Sequence, residues 1–305
     1  MTFTASAEII RYLGADMVLC DVDRGSCLMT ADLIEPHLAT GKIKAVIYVH
    51  FGGQCHGIDK VVELCRRYRV LLVDDAAHAF PARLAGKHAG TFGLAGCFSF
   101  YANKTITTGE GGMLVTDDEP LYRRATTMRH HGIDRDAWNR FSSVEAAWEY
   151  DVVAAGFKYN MSDLNAAVGL AQLERAEQMR ESRHRCFLRY MQSLPKVKGI
   201  DLPLVIGSLH EHACHLFWIV LRPEAATTRN EFMKRMHAAG IETSVHYKPL
   251  HQFSYYKHNY KFKAEDYPAS EAHWQGCVSL PIYASMTDAD VDFVCHQAKE
   301  ILGCI

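Results

Sequence analysis

Three consecutive segments decide the architecture. KAVIYVHF, residues 44–51, is a short β-branched and aromatic run; Ile58 to Tyr68 repeats its apolar residues at helical spacing; RVLLVDD then returns to an apolar run that ends on two acids, Asp74 and Asp75. Strand, helix and strand in that order imply a parallel pair, because parallel neighbours require a crossover connection. In LLVDDAAHAF the apolar residues precede the acids, so the spacing predicts a buried strand that delivers Asp75 at its C-terminal end, where open α/β sheets keep their sites. Gly96 to Tyr101 is a second short β-like run. Lys104 follows three residues later, ahead of the Thr- and Gly-rich TITTGEGG.

A lysine and an acid at the ends of neighbouring strands suit pyridoxal phosphate. That cofactor needs a lysine to hold its aldehyde as a Schiff base and an acid to keep its pyridine nitrogen protonated. Lys104 and Asp75 fit the two roles. Ser99, five residues before Lys104, is placed to hydrogen-bond the phosphate, and His78, three residues after Asp75, to meet the ring's phenolic oxygen. Taken singly, Asp75 reads as a strand-end cap and Lys104 as a solvated lysine. The joint spacing carries the functional reading.

VDDAAHA, GCFSFYANKTITTGEGGM, RHHG at Arg129 to Gly132, GFKYNMSDLNAAVGLAQLE and SVHYKPLH together resemble the DegT/DnrJ/EryC1/StrS family of sugar aminotransferases over nearly the whole chain. The resemblance implies an α/β, type I aminotransferase-like fold: a mostly parallel large-domain sheet flanked by helices, plus a smaller C-terminal α/β domain. It also implies pyridoxal 5'-phosphate, a homodimer with shared active sites, and amino transfer from glutamate or glutamine to a keto sugar on a nucleotide. Such a reaction serves amino-sugar biosynthesis, for a cell-surface glycan or a secondary metabolite. By this resemblance Lys104 is the catalytic lysine, and Asp75, His78 and Ser99 touch the pyridine nitrogen, the ring oxygen and the phosphate. A sister dehydratase activity has histidine at the lysine position, so Lys104 favours the transaminase branch. An inactive or regulatory cofactor-binding remnant and a related sugar lyase or dehydratase remain the alternatives.

Against the family, TFTASAEIIRYLGADMVLCDVD looks like a stretch that normally follows several tens of residues, including a Ser-Gly-Thr segment that cradles the cofactor phosphate. Phe3 matches an aromatic position that stacks on the cofactor. The expectation is a truncated reading frame or a separate chain supplying the rest. In GFKYNMS, many members carry Asn and Arg where this chain has Lys158 and Asn160. The resemblance implies that this segment reaches the partner's site, Lys158 meeting the phosphate as a point charge without an arginine's planar fork. His251 and Asn160, with Tyr101 beside Lys104, are expected on the substrate side; His246 is a further candidate there. Tyr255 and Tyr256 read as packing residues.

Elsewhere the pattern predicts a helix over Glu8 to Tyr12, a strand MVLCDVD, a helix capped by Thr30, a strand GGMLVTDD and a helix over Glu119 to Arg129. Ser162 and Asp163 begin a helix with apolar residues at Leu164, Ala167, Val168, Leu170, Ala171 and Leu173, read as the link between a cofactor-binding domain at 1–170 and a small domain at 171–305. HLFWIVL and IETSVHY read as strands, and Thr228 to Ala239 as a helix ended by Gly240. The glycine-rich stretch from His50 to Gly57 lacks the Lys-Ser/Thr of a phosphate loop and reads as a turn. His130 with His131, and HEHACH at 210–215, invite a metal hypothesis but lack a well-spaced ligand set; no metal is expected. Asp134 to Tyr150 reads as a surface loop shaping a substrate pocket.

With 305 residues, 49% hydrophobic content and a net charge of −2, the chain can bury a large core and carries no basic surplus for nucleic acid. Its ten cysteines form no CxxC pair, so they read as reduced thiols. No membrane-length apolar run and no signal peptide stand out, which points to the cytoplasm.

Overall fold

The computed structural model describes residues 1–134, 150–195 and 197–304. Two helices, α1 (Ala5–Tyr12) and α2 (Ala31–Leu38), lead into the sheet, and Thr30 caps α2 by accepting from the Leu33 N–H. Strand β1 (Ala45–Val49), helix α3 (Ile58–Tyr68) and strand β2 (Leu71–Asp75) form the predicted crossover. β1 pairs parallel with β2 in the register Val49 to Asp75. The small antiparallel hairpin β3 (Arg83–Leu84) and β4 (Lys87–His88) precedes β5 (Ala95–Ser99) and β6 (Gly112–Val115). The sheet runs β1-β2-β5-β6: β5 is parallel to β2, and β6 closes the edge antiparallel. Asp75 and Ser99 therefore end two adjacent parallel strands. Lys104 lies in the turn just beyond β5.

Helix α4 (Glu119–Met128) follows, capped by Asp118. Helices α5 (Asp163–Glu174) and α6 (Ala176–Ser193) are separated by a break at Arg175. A second sheet contains β7 (Ile200–Asp201), β8 (Phe217–Leu221) and β9 (Cys277–Leu280), all antiparallel. It packs with α6, α7 (Arg229–Ala238) and α10 (Asp288–Ile301); α8 (Ser254–Asn259) and α9 (Pro268–Gly276) lie between β8 and β9 in the chain order.

The apolar side chains separate into distinct clusters. One gathers Val46, Tyr48, Ile58, Val61 and Leu72 between α3 and the first sheet; another gathers Phe187, Tyr190, Phe217, Phe232 and Val291 around the second sheet. A third, small cluster joins residues from both halves of the chain, among them Cys27, Phe51, Trp218 and Cys277.

Two expectations need correction. MVLCDVD and IETSVHY are not strands: residues 17–23 are irregular, and 241–247 contribute a single bridge, Ser244 to Ser279. Helix α5 buries none of its residues, and Leu164 is 83% exposed, so its apolar residues do not face a core within this chain. The loop expected over 134–150 falls, at residues 135–149, outside the described residues.

Candidate active site

Alternation along β2 sends its two acids to opposite faces of the sheet. Asp74 turns inward, fully buried, and accepts from His50 Nε2 at 2.8 Å and the Gly93 N–H at 2.6 Å. Asp75 emerges at the strand end. Its Oδ2 accepts from Ser6 Oγ at 2.6 Å and its Oδ1 from the Ala77 N–H at 3.2 Å.

The turn Phe51–Gly53 bears on the site from below. The Gly52 N–H donates to His78 Nδ1 at 3.4 Å, and the Gly52 carbonyl accepts from the N–H groups of His215 and Leu216. The His50–Gly57 stretch is thus a structural turn, as its sequence suggests. Because His78 Nδ1 accepts, its proton sits on Nε2, which donates to the Tyr247 hydroxyl at 2.9 Å. Tyr247 keeps its own hydroxyl proton to donate. His215 packs against His78 at a tilt, 4.4 Å between ring centroids, and His246 holds Ser279 Oγ at 2.7 Å.

Electrostatics tie these groups to Lys104. Burial lowers the Lys104 pKa from the ordinary lysine value, and the Asp75 charge draws it part of the way back. Burial, then the Lys104 charge, then His246 push His78 well below the usual histidine range. His246 is pushed down to about 4 by burial, by Lys104 and by His273. His215 is likewise lowered, first by burial and then by His78 and Lys104. Tyr247 is raised by burial and by Asp75. The site is therefore one carboxylate and one amine among neutral imidazoles and a protonated phenol.

Of the residues expected from the sequence, Lys104, Asp75 and His78 come together in this way. Ser99 is half-buried at the end of β5, where its Oγ accepts from the Tyr101 N–H at 3.3 Å and, among the described residues, donates to no acceptor. Tyr101 is exposed, and its carbonyl accepts from the Lys104 N–H at 3.0 Å. Phe3 is exposed too, its ring 5.9 Å from that of Tyr247. Lys158 and Asn160 lie exposed on the segment that bridges to His130, and no contact joins them to Lys104 among the described residues. His251 is buried: its Nε2 is held by Glu271 and its ring stacks on Tyr267. Tyr256 packs in the core, whereas Tyr255 is exposed.

Sequence reasoning missed Tyr247, His215 and Ser6 as site residues. Tyr247 was within reach, since it adjoins His246 in SVHYKPLH; Ser6 and His215 carry no local signal. HEHACH does not converge on one point: His212 accepts from the Cys214 N–H, His215 faces His78, and His210 packs beside His184.

The residues present fit pyridoxal phosphate. Among the described residues no hydrogen bond or ion pair holds Lys104 Nζ, which leaves a half-buried amine available to an aldehyde beside the Asp75 carboxylate.

The model of the DegT/DnrJ/EryC1/StrS aminotransferase family matches residues 1–299. The chain belongs to that family. It is an aminotransferase of a pyridoxal-phosphate-dependent family whose members act on sugars. It is 37% identical to an uncharacterized protein of Methanocaldococcus jannaschii over 303 residues, covering 99% of this chain and 78% of that one. It is 36% identical to the spore coat polysaccharide biosynthesis protein SpsC of Bacillus subtilis, covering 99% of this chain and 77% of that one. Among solved structures, a putative sugar aminotransferase of Streptococcus pneumoniae in its PMP form superposes with a TM-score of 0.90 at 28% identity, covering 99% of this chain and 80% of that one. The type I aminotransferase fold expected from the sequence is the fold observed.

Proposed function

We propose that this family member moves an amino group from glutamate or glutamine to a keto sugar carried on a nucleotide, in the cytoplasm, as a homodimer with shared active sites. The arrangement of Lys104, Asp75 and His78 carries the reading. Bound pyridoxal phosphate supplies an electron sink for the negative charge left at the donor's Cα. Lys104 Nζ is the base that takes the Cα proton and later returns one, and burial lowers its pKa, so the amine gives up its proton more readily than a solvated lysine does. The Asp75 carboxylate, oriented by Ser6 and the Ala77 N–H, stabilises a protonated pyridine nitrogen. His78 and Tyr247 stay uncharged and supply hydrogen bonds rather than competing charges. Ser99 can donate to a phosphate, Tyr101 and His246 line the sugar side, and Asn160 reaches the sugar side of a partner's site. His251 supports that side through its buried contact with Glu271.

The exposed apolar residues of α5 support the dimer, and the exposure of Lys158 supports its reaching a partner's phosphate site. The separate core clusters support a cofactor-binding domain at about 1–170 and a small domain at 171–305. Among the described residues no helix is long and apolar enough to cross a membrane.

An absorbance titration with pyridoxal phosphate tests this function. The chain is expected to develop a visible absorbance band that is absent in Lys104→Ala and is bleached by L-glutamate or L-glutamine. A Lys104-dependent band that neither donor bleaches would favour the cofactor-binding remnant, and no band at all would overturn the reading.

A further inference from the structure

We propose that helix α9 is a positioning device for the reaction, gripping residues 244–252 at both ends so that Tyr247, between the grips, is set against His78. At the first end, His273 Nε2 donates to the His246 carbonyl at 3.1 Å, and the Cys277 thiol approaches the same oxygen at 3.7 Å. The tautomer is fixed, because His273 Nδ1 accepts from the buried Cys27 thiol at 3.2 Å. Ser279 extends this grip through the His246 ring and through backbone bonds to Ser244. At the other end, Glu271 Oε1 takes both His251 Nε2 and the Gln252 side-chain amide, the latter at 2.6 Å. His251 is thereby a positioning residue.

The helix itself is fixed. Asp21 caps its N-terminus, accepting from the Ala269 N–H at 2.9 Å, the Ser270 N–H at 3.0 Å and Ser270 Oγ at 2.6 Å. His273 is wedged edge-on against Phe51 and Trp218, and Phe51 in turn packs against His78 and Tyr247. Between the grips, the Tyr247 hydroxyl meets His78 Nε2 at 2.9 Å, and the Asp75 charge is felt at the Tyr247 phenol. Helix α9 reaches the His78 contact through Tyr247. An error of about 1 Å there is enough to cost on the order of a hundredfold in rate.

The proposal rests on the aminotransferase reading, and the test separates the two. In the cofactor-free chain, amide hydrogen exchange over 244–252 is compared between wild type and Glu271→Ala, with global unfolding followed in urea. Exchange is expected to rise in that segment alone. The rate of bleaching by L-glutamate is then measured for Glu271→Ala, for Tyr247→Phe and for the double variant. Glu271→Ala is expected to slow bleaching by about 10- to 100-fold on its own, but by less than about threefold once Tyr247→Phe is present, because residues acting through one another are non-additive. Equal effects of Glu271→Ala in both backgrounds, or unchanged exchange over 244–252, would overturn the clamp. Should Glu271→Ala not fold, His251→Gln takes its place, with the same coupling to Tyr247→Phe expected and its absence equally fatal. A wild type that glutamate does not bleach would count against the aminotransferase reading, while the exchange experiment still decides the grip.

Discussion

Lys104 owes its chemistry to its surroundings rather than to its type. Burial disfavours the ammonium, so the neutral amine appears at lower pH than in a solvated lysine, and the Asp75 carboxylate opposes this by stabilising the charge. The sign of a substitution follows: Asp75→Asn removes the opposing effect, and the Lys104 pKa falls further. Competitive acetylation of the cofactor-free chain across pH is expected to show the Lys104 midpoint below that of exposed lysines, and lower again in Asp75→Asn. An upward shift would mean that Asp75 does not act on Lys104. The lysine, Asp75 and His78 were legible because a strand end and a short turn fix their relation locally. Ser6 and His215 were not, since each reaches the site across 69 or more residues of chain: Ser6 by its bond to Asp75, His215 by its ring contact with His78.

At the scale of elements, periodicity reports which residues are alike but not what they meet. Helix α5 has the apolar spacing of a core helix, yet Leu164, Val168, Leu170 and Leu173 are all exposed. A face of that size in water is a docking surface, and the proposed dimer is its occupant. Leu170→Asp is expected to weaken self-association by at least an order of magnitude, since it places a charge in the apolar contact; sedimentation velocity across a concentration series reads the effect, and an unchanged profile would remove α5 from the interface. MVLCDVD fails as a strand for the complementary reason. Its apolar run suits a strand, but among the described residues no neighbouring strand offers a ladder, and its acids are spent otherwise: Asp21 caps α9, and Asp23 accepts from Gly25 and Ser26 to close a turn. Strand pairing is a property of two segments, and a single run does not encode its partner.

The whole molecule is joined where the two halves meet at Phe51, Gly52 and Trp218. Gly52 has φ of +68°, and a Cβ there would lie 2.7 Å from Trp218 Cζ3, so the position needs glycine both for its backbone and for its space. Its N–H and carbonyl also serve His78, His215 and Leu216, which couples the join to the site. Gly52→Ala therefore has two costs: about 1–2 kcal/mol for a left-handed alanine, and about 1–3 kcal/mol for overpacking against Trp218. Urea unfolding is expected to show a loss of that combined size, with the midpoint moving and the slope unchanged. Because the same backbone group fixes the His78 tautomer, glutamate bleaching is expected to slow even in the folded fraction. Gly57→Ala is the control: it also has positive φ, but a Cβ there meets nothing within 4 Å, so it should carry only the backbone cost and leave the site rate unchanged. Equal losses in the two variants would mean that the Trp218 contact contributes nothing to holding the halves together.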